Sequence, residues 1–234
     1  AMAARGLTLA DVARALEGAA GALEGWERLG GARRAMARRM ARAAGIVPAT
    51  LHDEADVTPW MGAEADVLVR LIRAAAAGAA AEPGLNAWFD ADGPARRLHE
   101  RVDLGIAVDT PEGLYVPVLR GADALGPEAL RKGADRLIAA VRGRGLARED
   151  TEGATLTLSS WGSLGGRHGV LVVMPPQVAI LGAGRAFARV GWGEDGPERR
   201  MALPLSLSFD HRAVTGGEAA RFLAAARADL ERPD

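Results

Sequence analysis

A histidine placed directly after an alternating strand and directly before a glycine-rich helix start can act as a general base. His211 holds that position, between the run ALPLSLSF at 202–209 and the pair Gly216–Gly217. Side chains reach a site at such junctions, and a neutral imidazole within hydrogen-bond reach of a proton contributes about 10²–10⁴-fold to a rate. Thr215, Gly216, Gly217 and Glu218 fit the Thr-x-x-Glu capping box, in which the threonine caps a helix and the glutamate reaches back. A firmly capped helix fixes the turn from Asp210 to Val214, and with it the direction of the imidazole. The second candidate is Ser159. In the segment 154–160, Leu156 and Leu158 share one face and Thr155, Thr157 and Ser159 the other, so the Ser159 hydroxyl points away from the apolar side. The remaining histidines, His52, His99 and His168, lack ligand spacing among themselves, and no metal site is expected. The chain has no cysteine, so thiol chemistry must come from a ligand.

These residues need a framework, and its period changes along the chain. Helices are expected at 8–24, 32–44, 63–81, 127–142 and 217–231. Strands are expected at 49–58, 103–109, 114–120, 154–160, 177–182 and 202–209. Pro111, Glu112 and Gly113 join 103–109 to 114–120 as a hairpin, and Pro127 sits as the first residue of its helix. The segment 32–44 carries five arginines around Met36 and Met40 and reads as a solvated basic helix. Trp60, Trp88 and Trp161 read as core residues. Mixed helices and strands without a repeat give one α/β domain over 30–234, preceded by an arm or linker at 1–29.

Composition removes whole classes of function. Among 234 residues, 29 basic and 30 acidic side chains leave a formal charge of −1, so no net positive field is available for nucleic acid or an anionic membrane. The longest apolar stretches, near 71–81 and 170–183, are too short or too broken by glycine and proline to span a bilayer, and no signal-peptide pattern opens the chain. A cytoplasmic location is expected.

The run LPLSLSFDHRAVTGGEAARFL resembles the signature of the dihydrolipoyl acyltransferase catalytic domain of 2-oxo acid dehydrogenase complexes, normally Asp-His-Arg-x-x-Asp-Gly. Further blocks agree in order. ARRAMARRMARA resembles the family's first helix and LHDEADVT the strand after it. LNAWFD and LGIAVDTPEGLYVPVLRGAD resemble its central strands, and TLTLSSWGSLGG with PPQVAILGAGR its active-site strand and loop; together the blocks cover about residues 28–232. The resemblance implies a chloramphenicol acetyltransferase-like fold, a mixed sheet with flanking helices, and a homotrimer with active sites between subunits. It implies that His211 removes the proton from a thiol, coenzyme A or dihydrolipoyl, whose thiolate attacks the partner thioester. It implies that Ser159, or Ser160 if the register is one off, supplies a hydroxyl to the oxyanion from a neighbouring subunit. Thr215 stands at the third catalytic position. Asp210, Arg212, Gly216 and Arg33, with Arg34 as its alternative, are expected to support the site. Coenzyme A enters as a substrate, and the lipoyl group is carried on another domain or chain. The implied partners are decarboxylase and dihydrolipoyl dehydrogenase components.

The chain departs from the family in several places. Thr215 replaces the Asp or Asn that holds the active-site loop through an arginine of the first helix; threonine can cap but cannot form an ion pair with guanidinium. Only PWMGA stands where a longer helical insertion is usual, and nothing follows Asp234 where a leucine-rich tail is common, so a free trimer is expected rather than a larger shell. Lys132, the only lysine, lies in an expected helix and cannot carry a lipoyl group, while LTLADVARAL at 7–16 resembles the end of the family's subunit-binding domain. The chain therefore reads as part of a longer protein. Two other functions stay open: a coenzyme-A-dependent acyltransferase acting on a small alcohol or amine, and a weakly catalytic scaffold core.

Overall fold

The computed structural model describes residues 25–62 and 64–233. The helix expected at 8–24 lies outside them. The described residues form eleven strands and four α-helices in a mixed order. The strands are β1 (Pro48–Asp56), β2 (Ala87–Asp90), β3 (Ala95–Leu98), β4 (Leu104–Ile106), β5 (Val108–Thr110), β6 (Gly113–Tyr115), β7 (Val118–Leu119), β8 (Leu156–Ser160), β9 (Ala179–Ala183), β10 (Phe187–Gly193) and β11 (Gly196–Asp210). The helices are α1 (Gly31–Ala41), α2 (Val67–Ala81), α3 (Pro127–Arg142) and α4 (Gly216–Leu230). Seven strands form one sheet in the order β1-β11-β9-β8-β4-β7, with β10 paired to β11. β8 runs parallel to β4 and β9, and the other pairs are antiparallel. This is the expected mixed sheet.

Each helix has a local cause. The Asp66 carboxylate accepts from Val69 N at 3.1 Å, so α2 starts at Val67 rather than at 63 as its composition implied. Pro127 opens α3, whose Leu130, Ala134, Leu137 and Val141 form one buried stripe. α4 buries Ala219, Phe222, Leu223, Ala226 and Leu230. It packs on α2 where Gly78 gives room, since a Cβ there would lie 2.8 Å from the Phe222 ring. α1 buries no residue, in keeping with a solvated basic helix.

The two faces of the sheet differ. Leu203, Leu205, Leu207 and Phe209 of β11 join Leu156, Leu158, Leu181 and the helices in a single core. On the other face Thr157, Ser206 and Ser208 are also buried, because residues 161–174 cross it as a strap. Gly169 N donates to Ser206 Oγ at 3.1 Å, Leu171 N donates to Ser208 Oγ at 2.9 Å, and Trp161 and Leu171 lie over Gly182. The face that carries Ser159 is thus covered over much of its length.

Three strand readings change. The hairpin expected from 103–109 and 114–120 keeps one register, Leu104↔Leu119 through Val108↔Tyr115, but splits into β4–β7 and β5–β6. Ile106 N still donates to Pro117 O at 2.8 Å, but Pro117 has no N–H to return, while Ala107 N continues the pairing with β8 through Leu158 O at 2.9 Å. The last strand begins at Gly196, not 202, because it first pairs with β10 as a ribbon around a Glu194–Asp195 turn. β10 is exposed along most of its length and shows no apolar alternation to read. The β2–β3 hairpin escaped the periodic reading for the same reason, since all of β3 is exposed. Among the described residues no helix is long and apolar enough to cross a membrane.

Candidate active site

His211 leaves the sheet at the end of β11, where its backbone N–H donates to Val47 O at 2.8 Å and extends the pairing with β1 by one residue. The chain then turns sharply. Ala213 N and Val214 N both donate to Asp210 O at 3.0 Å. The buried Asp210 carboxylate takes a fork from Arg212, with Nε to Oδ1 at 3.0 Å and Nη2 to Oδ2 at 2.6 Å, and also accepts Arg212 N at 3.1 Å. Burial alone would raise the Asp210 carboxyl, but the side-chain and backbone hydrogen bonds of Arg212 and its charge outweigh it and hold the group below its ordinary value. The guanidinium of Arg212 lies over Phe89 of β2 at 5.2 Å.

Thr215 caps α4 as its spacing to Glu218 predicts. Glu218 N donates to Thr215 Oγ1 at 3.3 Å, while Glu218 Oε2 accepts Thr215 N at 2.7 Å and Thr215 Oγ1 at 2.9 Å. Hydrogen bonds from the Thr215 backbone lead the causes that hold the Glu218 carboxyl below its usual value, with Arg96 adding to them. Gly216 has open space where a Cβ would stand.

The imidazole of His211 is exposed, and its ring rests 5.5 Å from that of Phe209. Among the described residues no hydrogen bond reaches its nitrogens. Ser159 is not near it. Ser159 belongs to the row Ser159–Gly182–Ser206–His52, whereas His211 follows the far end of β11, roughly 16 Å further along at about 3.3 Å per residue. Arg33 is exposed on α1, whose backbone packs on Gly113 of β6, and among the described residues no hydrogen bond links it to Thr215, whose side chain bonds Glu218. One protomer therefore gathers His211, Asp210, Arg212, Thr215 and Gly216 in one turn, and holds Ser159 and Arg33 elsewhere. Sequence reasoning missed Phe89 and Arg96, which touch this turn from the β2–β3 hairpin; aromatic and charged residues on a short exposed ribbon give no periodic signal.

The sequence profile of the 2-oxoacid dehydrogenases acyltransferase (catalytic domain) family matches residues 24–234. The chain belongs to this family. It is an acyltransferase catalytic domain of the 2-oxo acid dehydrogenase type. Over 186 residues it is 34% identical to the dihydrolipoyllysine-residue acetyltransferase component of the pyruvate dehydrogenase complex of Cupriavidus necator, covering 74% of this chain and 33% of that protein. The crystal structure of the Azotobacter vinelandii dihydrolipoamide acetyltransferase superposes with a TM-score of 0.81 at 31% identity, covering 88% of this acyltransferase domain and 91% of that chain. That protein has been described through the roles of a serine, a histidine and an asparagine in its catalytic mechanism. A chloramphenicol acetyltransferase shares the fold, with a TM-score of 0.55 at 14% identity over 89% of this chain and 97% of that one. The acyltransferase domain spans between a quarter and about a third of the length of the first curated relatives it matches.

Proposed function

We propose that this acyltransferase domain moves an acyl group between coenzyme A and a dihydrolipoyl thiol carried on another domain or chain, as the core of a 2-oxo acid dehydrogenase complex. The observation that carries the reading is the placement of His211: an exposed imidazole on a turn that is locked by Asp210, Arg212 and the Thr215 cap. The imidazole takes the thiol proton, and the thiolate adds to the thioester carbonyl, forming a C–S bond. Ser159 of a neighbouring subunit donates its hydroxyl to the oxyanion. Collapse breaks the original C–S bond, and the departing thiolate recovers the proton from the imidazolium. In the Azotobacter relative the serine, histidine and asparagine are spaced along the chain as Ser159, His211 and Thr215 are here.

A homotrimer with sites between subunits fits two features of the isolated protomer. Ser159 and His211 stand too far apart to serve one substrate within a single copy. The β10–β11 ribbon extends beyond the pairing with β1 and β9 and exposes Val190 (77%) and Trp192 (79%) at alternate positions, apolar surface that a neighbouring subunit would cover. Arg33 supports the site from its exposed helix. Residues 1–29 act as an arm that leads into the catalytic domain, which works in the cytoplasm beside decarboxylase and dihydrolipoyl dehydrogenase components.

Incubation of the chain with acetyl-coenzyme A and free dihydrolipoamide tests the proposal. Acetyl-dihydrolipoamide is expected to accumulate, and His211→Ala is expected to slow it by about 10²–10⁴-fold. Coenzyme A binding without thioester exchange would transfer the case to an alcohol or amine acceptor. A rate indifferent to His211→Ala would leave a scaffold.

A further inference from the structure

The active-site turn is gripped from one side by Asp210 and Arg212, which are part of the motif itself. A residue outside the motif grips the other side. Arg96 of β3 donates from Nη1 to the Ala213 carbonyl at 2.8 Å and to Glu218 Oε1 at 2.9 Å, and reaches Gly84 O at 3.3 Å. Ala213 lies two residues after His211, so the first of these bonds fixes the turn itself. The second fixes the start of α4, because Glu218 spends its other oxygen on Thr215. Gly84 makes the arrangement close: a Cβ there would lie 2.8 Å from Arg96 Nη1 and 3.0 Å from Glu218 Oε1. The same hairpin sets Phe89 against Arg212. Both ends of the turn therefore depend on β2–β3.

We propose that Arg96 is a positioning residue for His211, supplying the charged tether that Thr215 cannot. The inference rests on the reading of His211 as the general base. Thr215 makes its side-chain bonds to Glu218, so the turn gains a guanidinium partner through Glu218 instead. The Arg96 and Glu218 side chains keep 29% and 17% of their exposure. An ion pair this close to solvent adds little to global stability, whereas displacing a catalytic group by about 1 Å can cost on the order of 10²-fold in rate. Loss of Arg96 is therefore read in turnover and in the local order of the turn, not in the melting of the fold.

The experiment compares the wild-type chain with Arg96→Ala and Arg96→Lys in acetyl transfer to dihydrolipoamide. It also follows amide hydrogen exchange at Ala213 and Val214, with Leu71 and Ile72 of α2 as the internal reference. In Arg96→Ala we expect kcat to fall by about tenfold to hundredfold with KM for both substrates within about twofold, the signature of a contact that matters in the transition state. Arg96→Lys should recover part of the loss. Exchange at Ala213 and Val214 should quicken by at least about tenfold while α2 stays as in the wild type. A kcat within about twofold of wild type, or an α2 loosened as much as the turn, would overturn the proposal. If the wild type transfers nothing to dihydrolipoamide, the proposed function fails instead. The exchange comparison then decides the tether by the same criteria.

Discussion

Around His211 almost every neighbouring group is committed to holding the backbone still. Asp210 is the most committed, with its carboxylate buried and forked to Arg212. Because burial is outweighed by the Arg212 hydrogen bonds and charge, which hold its folded pKa below the ordinary carboxylate value, the stability it contributes is fully present above about pH 5 and is lost as pH falls through the lower folded value. Thermal melts and transfer rates between pH 5 and 8 should show nothing from this group, and both should decline together on further acidification. Asp210→Asn removes the charge from a buried carboxylate whose Arg212 partner is partly exposed and is expected to cost about 1–3 kcal/mol, measurable by denaturant titration. Thr215 gives a sharper contrast. Its hydroxyl donates to Glu218 Oε2 at 2.9 Å, which a carboxylate cannot do. Thr215→Ser should keep both activity and stability, and Thr215→Val should cost about 1 kcal/mol through loss of the cap. Thr215→Asp keeps a cap but sets two carboxylates against each other, so its kcat should not rise above wild type.

At the scale of elements, the strap at 161–174 decides what the polar face of the sheet can do. Gly184 lets it pass: a Cβ at that position would lie 1.9 Å from Arg167 O. Backbone cannot yield as a side chain can, so Gly184→Ala is expected to destabilise the chain by about 3 kcal/mol, seen as a lower Tm. The sequence showed these elements unevenly, for a physical reason. Strands with one face in the core, such as β8 and the second half of β11, announce themselves by alternation, and Pro127 and the Thr215–Glu218 box mark helix starts by chemistry that is local. β3 and β10 bury almost nothing, so their pairing leaves no apolar alternation to read in the sequence. His211 and Thr215 were legible because their neighbours in sequence are their neighbours in space. The grip of Arg96 on Ala213 spans 117 positions, and no local pattern encodes it.

At the scale of the whole molecule, if Ser159 and His211 serve one site, as proposed, their separation along the sheet requires two copies of the chain. A mixing experiment reads this directly. Ser159→Ala and His211→Ala chains, each expected to be nearly inactive, are denatured and refolded together in equal amounts. If the two residues serve one site from different subunits, about a quarter of the sites recover an intact pair, and activity returns to that level. Recovery of nothing would place both residues in the same protomer's chemistry. The protruding β10–β11 ribbon adds a condition on how the protein comes into being. A newly made chain carries two open ribbon edges and a bare tryptophan, a surface that pairs with whatever strand it meets first. If the ribbon is a contact between subunits, as proposed, early encounter with other copies covers this surface, and the rate at which the chain is made then governs how long it stays open to non-native strand pairing.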